Sequence, residues 1–345
     1  MNLSEKMKRD WDRRAQHHAR FWIATEDYHS EKIFTRSGEA TAHSLLRKLH
    51  GRHARSWRVM DIGCGIGRVL KPLAPYFTEL IGVDVSSEMI AQSKIWLAEH
   101  PNIATHETSG VDLQDFPDHY FDLVYSYVAF QHMPRPVFEC YLKEVHRILK
   151  PHGYFLFQLP LGPFLDTCAE DTIGIRRYTV LELCEKLHRN GFLMNLASPY
   201  STKDLTQAQD HDFIMTINNE KNFALPAGKS TSLECFELGP ISDAFSSFEL
   251  QMYSHFADRR FAEGQTQEAI KTLQILVEHN PHHLSGWLHL ATLFVETGQI
   301  HQALSTLSKL KSLHPRYEKA HHTFQQLLTK FSSTSVDPVE SACSL

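Results

Sequence analysis

The sequence lacks long apolar runs: no stretch of it approaches the roughly 18 residues that a membrane-spanning helix needs. No two of its six cysteines stand in C-x-x-C spacing, so the sequence predicts neither a zinc site nor a disulfide framework. It also lacks an excess of positive charge, because the formal net charge is −5. We therefore expect no metal, no nucleic acid and no membrane as partners.

The first residues, MNLSEKMKRDWDRR, are charged and contain no apolar segment of the signal-peptide kind. Together with the unpaired spacing of the cysteines, this predicts a reducing, cytoplasmic location. Histidine doublets at 17–18, 282–283 and 321–322 have no cysteine or acid at metal-ligand spacing, so we interpret them as surface residues.

Apolar strand-like runs alternate with helical segments between about residues 55 and 217. The runs SWRVMDIG, ELIGVDV, FDLVYSYV and GYFLFQLP are nearly continuous in apolar residues, which is typical of parallel strands that are covered on both faces. Helices are predicted between them, including one in GRVLKPLAPYF (residues 67–77). The fold class predicted is α/β, a doubly wound, mostly parallel sheet of seven strands.

The C-terminal part repeats with a period of 34 residues. The matched pairs are apolar, small or turn-forming at both positions: Tyr253 and Trp287, Phe256 and Leu290, Ala257 and Ala291, Gly264 and Gly298, Ala269 and Ala303, Leu273 and Leu307, Leu276 and Leu310, and Pro281 and Pro315. This helix–turn–helix pattern resembles the tetratricopeptide repeat and predicts an all-α domain.

These patterns divide the chain into five parts. We expect an N-terminal helical lid at 1–54, a sheet domain at 55–217, a linker at 218–247, two repeats with a capping helix at 248–331 and a disordered tail at 332–345. The lid would be rich in aromatic residues (Trp11, Phe21, Trp22, Tyr28 and Phe34) that either shape a pocket or simply hold the helices to the sheet domain.

Three glycines, each two residues apart, follow the first predicted strand in VMDIGCGIGR. Gly63 can adopt a backbone conformation closed to other residues, Gly65 would let a ligand lie against the main chain, and Gly67 allows close packing of the next helix on the sheet. An ordinary strand–helix turn also explains them without any ligand.

The acids near this turn narrow the choice of ligand. Asp84, at the end of the second predicted strand, can accept both hydroxyls of a ribose. Arg68 stands where a dinucleotide fingerprint needs a small residue, and Asp61 would repel a pyrophosphate but suits an ammonium group. The favoured ligand is an adenosine joined to an amino acid, without phosphate.

At this point the sequence resembles the class I S-adenosylmethionine-dependent methyltransferases. The resemblance lies in four blocks, VMDIGCGIGR, GVDVSSEMI, GVDLQDFPDHYFDLVYSYVAFQHM and YLKEVHRILKPHGYFLF. One departure is His152, which replaces a glycine of the family's Lys-Pro-Gly-Gly turn. The resemblance implies S-adenosyl-L-methionine as cofactor and a Rossmann-like methyltransferase fold.

The resemblance also implies roles for individual residues. Gly63 and Gly65 would approach the methionine part of the cofactor, with Asp61 near its amino group, while Asp84 would hold the ribose.

Three further positions are implied around the rest of the cofactor. Asp112 would accept from the adenine amino group, the backbone N–H of Leu113 would face the ring, and Ser126 would border the sulfonium. A turn-forming role is an alternative for Asp112, since VDLQDFPD is rich in turn residues.

A general base is needed only if the acceptor must lose a proton. His132, just after the fourth strand in YVAFQHMP, is the candidate catalytic base, and a packing role is its alternative.

The predicted function is methyl transfer to an acceptor, with a small molecule favoured, and repeats that bind a protein partner or mediate self-association. One alternative is a repeat-based scaffold whose first domain only senses the cofactor or is inactive. A nicotinamide-dependent oxidoreductase is a third hypothesis, which Arg68 and Asp61 disfavour.

Overall fold

The computed structural model describes residues 2–162, 171–194, 213–218 and 247–315, together with 317, 322, 323, 325 and 326. The chain separates into two compact units, Met1–Asp243 and Ala244–Leu345. The predicted linker, capping helix and tail fall largely or wholly outside the described residues.

The first unit is built on one mixed sheet. Its described strands are β1 (Arg58–Ile62), β2 (Glu79–Asp84), β3 (Ile103–Glu107), β4 (Phe121–Ser126), β5 (Leu149–Gln158), β6 (Phe192–Met194) and β7 (Phe213–Asn218). They lie in the order β3-β2-β1-β4-β5-β7-β6. All neighbours are parallel except β5 with β7 and β7 with β6. The predicted class, an α/β fold with a mostly parallel sheet, is confirmed.

Helices cover both faces of this sheet. They are α1 (Leu3–Ile23), α2 (Glu31–Lys48), α3 (Leu70–Leu73), α4 (Ser87–Trp96), α5 (Arg135–Ile148) and α6 (Val180–Arg189). Because strand side chains alternate, Met60 and Val124 pack in the core beneath α5 and α6, while Val59 and Tyr125 pack in the core beneath α2, α3 and α4. The sheet is therefore buried on both faces, as the continuous apolar strands predict.

The helix predicted at 67–77 is much shorter than expected. Only Leu70–Leu73 is helical, and turns continue the chain to β2. Pro72 and Pro75 lack backbone N–H groups and cannot donate the hydrogen bonds that would extend the helix. The prediction was wrong here because the apolar spacing outweighed the prolines.

The first helix is well specified by local sequence. Asn2 and Glu5 form a reciprocal capping box at the start of α1, in which each side chain accepts from the other residue's backbone N–H. Near its end, His18 departs from helical geometry and kinks the helix.

The second unit holds two helical hairpins. They are formed by α7 (Ser247–Ala262), α8 (Thr266–His279), α9 (Leu284–Glu296) and α10 (Ile300–Leu313). Ala269 and Ala303 are fully buried, in keeping with the close helix approach that the repeat pattern predicts. Arg260 occupies the position that corresponds to Phe294, and its buried guanidinium lies 4.8 Å from the centre of the Phe256 ring.

Candidate functional site

The site lies where neighbouring parallel strands end. β1, β2 and β4 are adjacent, and their carboxyl ends meet at one edge of the sheet. The backbone N–H groups of Gly63 and Cys64 donate to the carbonyl of Val83 at 2.8 and 3.0 Å, which draws the turn after β1 against the end of β2. Ligands of open α/β sheets bind at this edge.

The glycine turn is left-handed at all three glycines, whereas the sequence predicts such a conformation only for Gly63. Gly63, Gly65 and Gly67 have φ values of 75°, 54° and 87°, in the left-handed region. A Cβ on Gly63 would lie 2.4 Å from the Cβ of Ala129, and one on Gly67 would lie 2.5 Å from Leu97 Cδ1. A Cβ on Gly65 would approach the Ile23 side chain of α1 at 3.1 Å. Side chains are excluded from the turn because Ala129, Ile23 and Leu97 lie directly against it.

Asp84 is held rigidly at the end of β2. Its Oδ2 accepts from the backbone N–H of Gly65 and its Oδ1 from that of Ser86, both at 2.9 Å. Burial raises the pKa of Asp84 to about 6, and these amide donors oppose the rise. The carboxylate is thus ionised at neutral pH and lines the cavity.

A cavity lies over this edge of the sheet, with about 710 Å³ of empty space when the adjoining open solvent is included. Its lining is mainly apolar and aromatic: Met7, Trp11, Trp22, Ile23, Gly63, Gly65, Asp84, Val85, Met89, Gly110, Tyr127, Val128, Ala129, His132, Met133 and Tyr141. Gly63, Gly65, Asp84 and His132 are the lining residues that sequence reasoning had singled out for the cofactor or for catalysis.

The α1 helix forms one wall of the cavity. Trp11 and Trp22 line it, as the lid hypothesis requires, whereas Phe21, Tyr28 and Phe34 are buried in the packing of the helices. The aromatic residues of this segment therefore divide between the two roles that the sequence leaves open.

Asp12 ties α1 to the start of α4, beside the carboxyl edge of the sheet. Its Oδ1 accepts from Ser86 Oγ at 2.7 Å and from the backbone N–H of Glu88 at 3.0 Å, and Ser87 Oγ lies 3.2 Å from both carboxylate oxygens. The side chain of Asp12 thus joins Ser86 in capping the start of α4. Sequence reasoning missed Asp12, because nothing local shows that it meets a helix more than seventy residues away.

His132 lines the cavity on a 3₁₀ turn, Phe130–His132. Its Nδ1 lies 2.6 Å from the carbonyl oxygen of Ile173, and its Nε2 lies 3.0 Å from Gln131 Nε2. Burial lowers the pKa of His132 to about 4; the Ile173 carbonyl opposes this, and Arg14 and Arg176 lower it further. The imidazole is neutral at pH 7, and such a low pKa does not favour the predicted role as a base.

Several predicted cofactor residues lie outside the cavity lining. The Asp61 side chain is buried beside Tyr125, and burial raises its pKa to about 8. Ser126 Oγ donates to the carbonyl of Ile62 at 2.8 Å. Gly67 packs against Leu97.

The two residues predicted at the adenine end have partners within the protein. Asp112 Oδ2 accepts from Ser109 Oγ at 2.7 Å. The backbone N–H of Leu113 donates to Glu144 Oε2 at 2.9 Å. In this structure neither residue belongs to the lining of the cavity.

Buried charges lie behind the wall of the cavity. Arg14 of α1 is fully buried, donates to Thr172 Oγ1 at 3.1 Å and lies 4.8 Å from the centre of the Trp11 ring. Asp10 accepts from Lys6 Nζ at 2.9 Å and from Thr172 Oγ1 at 2.8 Å. These contacts fasten α1 to the segment after β5.

A second buried arginine stands next to His132. Arg176, fully buried, donates to the carbonyl oxygens of His132 at 3.0 Å and of Asp171 at 2.7 Å. The Asp171 carboxylate accepts from the backbone N–H groups of Ile173 and Gly174 at 2.9 and 2.8 Å. The sequence offered no signal for this cluster, because its members meet only through the tertiary fold.

The wall after β4 is strained. Val128 lines the cavity with φ of 58°, and a β-branched residue rarely adopts this left-handed conformation. Strain of this kind costs about 1–3 kcal/mol and gathers at functional sites.

Arg68 points away from the cavity into a more open groove. That groove shares Ile23, Tyr127 and Val128 with the cavity. The guanidinium of Arg68 donates to the hydroxyls of Ser37 and Thr41 on α2, at 3.2 and 3.4 Å. This bulky cation is therefore hydrogen-bonded to α2 and does not fill the space beside the glycine turn.

Comparison with known proteins agrees with this architecture. Residues 60–157, which contain the glycine turn, Asp84 and His132, match the family model described as a methyltransferase domain. The chain carries a methyltransferase domain. Residues 260–330 match a tetratricopeptide repeat model, which confirms the repeat pattern.

Curated relatives of the methyltransferase domain cover only part of the chain. The chain is 30% identical over 146 residues to the uncharacterized methyltransferase YcgJ of Bacillus subtilis. The aligned residues make up 41% of this chain and 55% of that protein. The chain is also 38% identical over 104 residues to a fatty-acid O-methyltransferase of Mycolicibacterium smegmatis. These residues make up 29% of this chain and 36% of that protein. The matches thus span about half or less of these relatives.

Among solved structures, the crystal structure of the Bacillus subtilis YcgJ protein aligns with 51% of this chain and 94% of its own, at 20% identity and a TM-score of 0.37. Within the described residues, no helix is both long enough and apolar enough to cross a membrane.

Proposed function

We propose that the chain is an S-adenosylmethionine-dependent methyltransferase acting on a small molecule, with repeats that bind a protein partner. The observation that carries the proposal is Asp84, a carboxylate fixed by two backbone amides beside a side-chain-free turn, inside a cavity that α1 closes. This combination suits a ribose hydroxyl pair and a close-lying amino-acid tail.

The residues present fit such a cofactor. Gly63 and Gly65 keep the floor of the cavity free of side chains, and a Cβ on either would meet Ala129 or Ile23. Asp84 would accept from the ribose, and the role of Asp61 beside an ammonium group stays a prediction. The roles of Gly67, Asp112, Leu113 and Ser126 stay predictions.

When bound, the sulfonium supplies a methyl group that is already activated for in-line displacement. The chain's own contribution is then to orient the acceptor and to exclude water, and correct orientation alone can supply on the order of 7–11 kcal/mol. Trp11 and Trp22 on α1, together with Met133 and Val128, form the apolar walls that exclude water.

The thiols support a proposal for the compartment. Cys64, Cys140 and Cys184 are free in the described part of the chain, which is in keeping with the reducing cytoplasm that we propose as the location.

Titration calorimetry tests the proposal directly. We expect the full chain to bind S-adenosylhomocysteine and not NAD. Asp84→Asn should weaken this binding by at least tenfold, while the exposed Asp115→Asn should not. Preference for NAD would contradict the cofactor.

Transfer of label from methyl-labelled S-adenosylmethionine to a metabolite extract then tests the enzyme activity. Binding without any transfer would favour the alternative of a repeat-based scaffold with a cofactor-sensing domain.

A further inference from the structure

The cavity offers few groups that could remove a proton from an acceptor. Among the described residues that line it, the ionisable side chains are Asp84, Tyr127, His132 and Tyr141. Both carboxylate oxygens of Asp84 accept backbone N–H groups at the cofactor edge. Burial raises the pKa of Tyr141 above its usual range, so its hydroxyl remains protonated.

His132 has no ring nitrogen left to act as a base. A carbonyl oxygen only accepts, so the Nδ1 that faces Ile173 carries the hydrogen. The Nε2 lone pair then accepts from Gln131 Nε2. The orientation of the Gln131 amide is set in turn, because Gln158 Nε2 donates to Gln131 Oε1 at 3.2 Å. His132 therefore cannot serve as the base, which favours an acceptor that enters with a lone pair already available at neutral pH.

Buried charges lie behind this end of the cavity. Arg14 stacks behind Trp11 and Arg176 holds the backbone of His132, and both are fully buried. Asp10 is paired with Lys6 and Arg13 and also faces Arg14, so one carboxylate meets three cations and this cluster carries excess positive charge. Asp171 opposes the effect of Arg176 on His132, so the excess lies with the Arg14 cluster. This end of the cavity disfavours a protonated amine and favours an anion.

The walls define the rest of the acceptor. Met7, Trp11, Trp22 and Met133 present apolar surface next to His132. A ligand that fills this space buries an apolar body, while its charged end lies toward the arginine side.

We propose that the methyl acceptor is an organic carboxylate with an apolar body, which the enzyme converts to its methyl ester. The proposal rests on the proposed function, since it names the substrate class of the same cavity. It follows from the juxtaposition of an apolar cavity, a histidine with both nitrogens engaged, and the positively charged Arg14 cluster behind the wall.

The reaction balances without a base. A carboxylate lone pair forms the new C–O bond, the C–S bond of the sulfonium methyl breaks, and its electron pair stays on sulfur. A cation and an anion become a neutral ester and a neutral thioether, and no proton is released. An apolar, water-poor cavity favours a step in which opposite charges disappear.

Binding without turnover gives the first test. Calorimetry on the full chain with S-adenosylhomocysteine would compare two matched series: octanoate, 1-octanol and octylamine, and phenylacetate, 2-phenylethanol and 2-phenylethylamine. In at least one series we expect the carboxylate to bind at least tenfold more tightly than the alcohol, with the amine weakest. Equal or tighter binding of the alcohol or amine in both series would overturn the proposal.

The chemistry of the product gives a second test that needs no knowledge of the acceptor. After incubation with methyl-labelled cofactor and a metabolite extract, mild alkali releases labelled methanol from a methyl ester, but not from a methyl ether, an N-methyl or a C-methyl group. Release of the label supports the carboxylate. Retention of the label would overturn the carboxylate acceptor and leave the proposed methyltransferase activity intact. The absence of any labelled product would contradict both the acceptor and the activity.

A charge-matched pair of variants tests the role of the arginine. Arg14→Gln should weaken carboxylate binding at least fivefold with little change for the alcohol, while Arg189→Gln, an exposed position on α6, should change neither. Equal weakening for acid and alcohol would show that Arg14 acts only through packing. If Arg14→Gln does not fold, the wild-type series and the alkali test still decide the matter.

Discussion

At the scale of the residue, the site depends on a few side chains whose environment changes their chemistry. Asp84 is buried yet ionised at neutral pH, because two backbone amides offset part of the cost of its burial. His132 is neutral because burial and two neighbouring arginines both disfavour its charged form. The pair illustrates how the same cavity holds one group charged and keeps another uncharged.

The pKa of Asp84 predicts a pH dependence of cofactor binding. A carboxylate accepts from ribose hydroxyls only when it is ionised, and the pKa of Asp84 lies at about 6. Affinity for S-adenosylhomocysteine should therefore be constant above this pH and fall by about tenfold per unit below it. Calorimetry from pH 4.5 to 8 measures this, and Asp84→Asn should bind weakly with a flatter profile. An unchanged slope in the variant would assign the titration to another group.

Val128 predicts a gain of stability at the expense of function. Its φ of 58° costs about 1–3 kcal/mol, which glycine avoids. After the entropic penalty of glycine, Val128→Gly should raise the free energy of unfolding by about 1 kcal/mol while lowering turnover, since a wall of the cavity is lost. The matched control is Val85→Gly, at a cavity position with no left-handed backbone, which should be destabilised. Parallel losses in both variants would show that Val128 is not strained.

The glycine turn shows how far the sequence alone reaches at this scale. Gly63, Gly65 and Asp84 are recognisable because their meaning is local: a strand end, a bare turn and an acid at the next strand end. Asp12 and Arg14 were not recognised, since their partners Ser86 and Thr172 lie 74 and 158 residues away along the chain. An acid and an arginine on a helix are ordinarily read as solvated.

At the scale of the element, α1 determines what the cavity is. Without α1, the carboxyl ends of the strands would be exposed to solvent. Trp11 and Trp22 of α1 cover this edge of the sheet. The helix is held by contacts of unequal burial, among them the Asp12 cap on α4 and the exposed ion pair of Lys8 with Glu107. Exposed ion pairs contribute at most about 1 kcal/mol, so the cap should dominate.

Removing the Asp12 cap should loosen α1 and weaken cofactor binding together. Loss of a capping side chain costs about 0.5–2 kcal/mol, and here the cap also joins two elements. In Asp12→Ala we expect faster hydrogen exchange throughout Leu3–Ile23 and a several-fold higher Kd for S-adenosylhomocysteine. Glu107→Gln, which removes the exposed contact, should change neither. Faster exchange with unaltered affinity would separate the helix from cofactor binding.

Sequence patterns identified the elements of the fold better than their lengths. The strands β1, β2, β4 and β5 follow the apolar runs, because a strand buried on both faces needs little besides apolar residues. The helix at 67–77 failed because Pro72 and Pro75 interrupt it, so that only Leu70–Leu73 remains helical. The role of α1 as a cavity wall required the tertiary structure.

At the scale of the whole molecule, two compact units divide the work. The first unit buries the carboxyl edge of its sheet, and the repeats of the second unit pack their hairpins around small residues such as Ala269 and Ala303. Sequence alone gave the repeat period, since equivalent positions repeat the same packing problem. It did not show that Arg260 could replace an aromatic residue by lying over Phe256.

A bulky residue in the repeat core should affect the second unit alone. Ala303 is fully buried, and inserting leucine there should cost about 1–3 kcal/mol through overpacking. In Ala303→Leu we expect earlier loss of helical signal from the repeats on heating, with the Kd for S-adenosylhomocysteine unchanged. The exposed Ser285→Leu is the control, and a weakened cofactor affinity in Ala303→Leu would contradict a division of labour.

The position of β7 has a consequence for synthesis of the chain on the ribosome. The last strand of the sheet to be translated lies between two strands made earlier, β5 and β6. A nascent chain that has emerged only as far as Met194 thus exposes the unpaired edge of β5, an attachment point for another chain. Codon usage or stalling in the stretch before Phe213 would lengthen that exposure, and a trigger for misassembly would lie there rather than in the catalytic region.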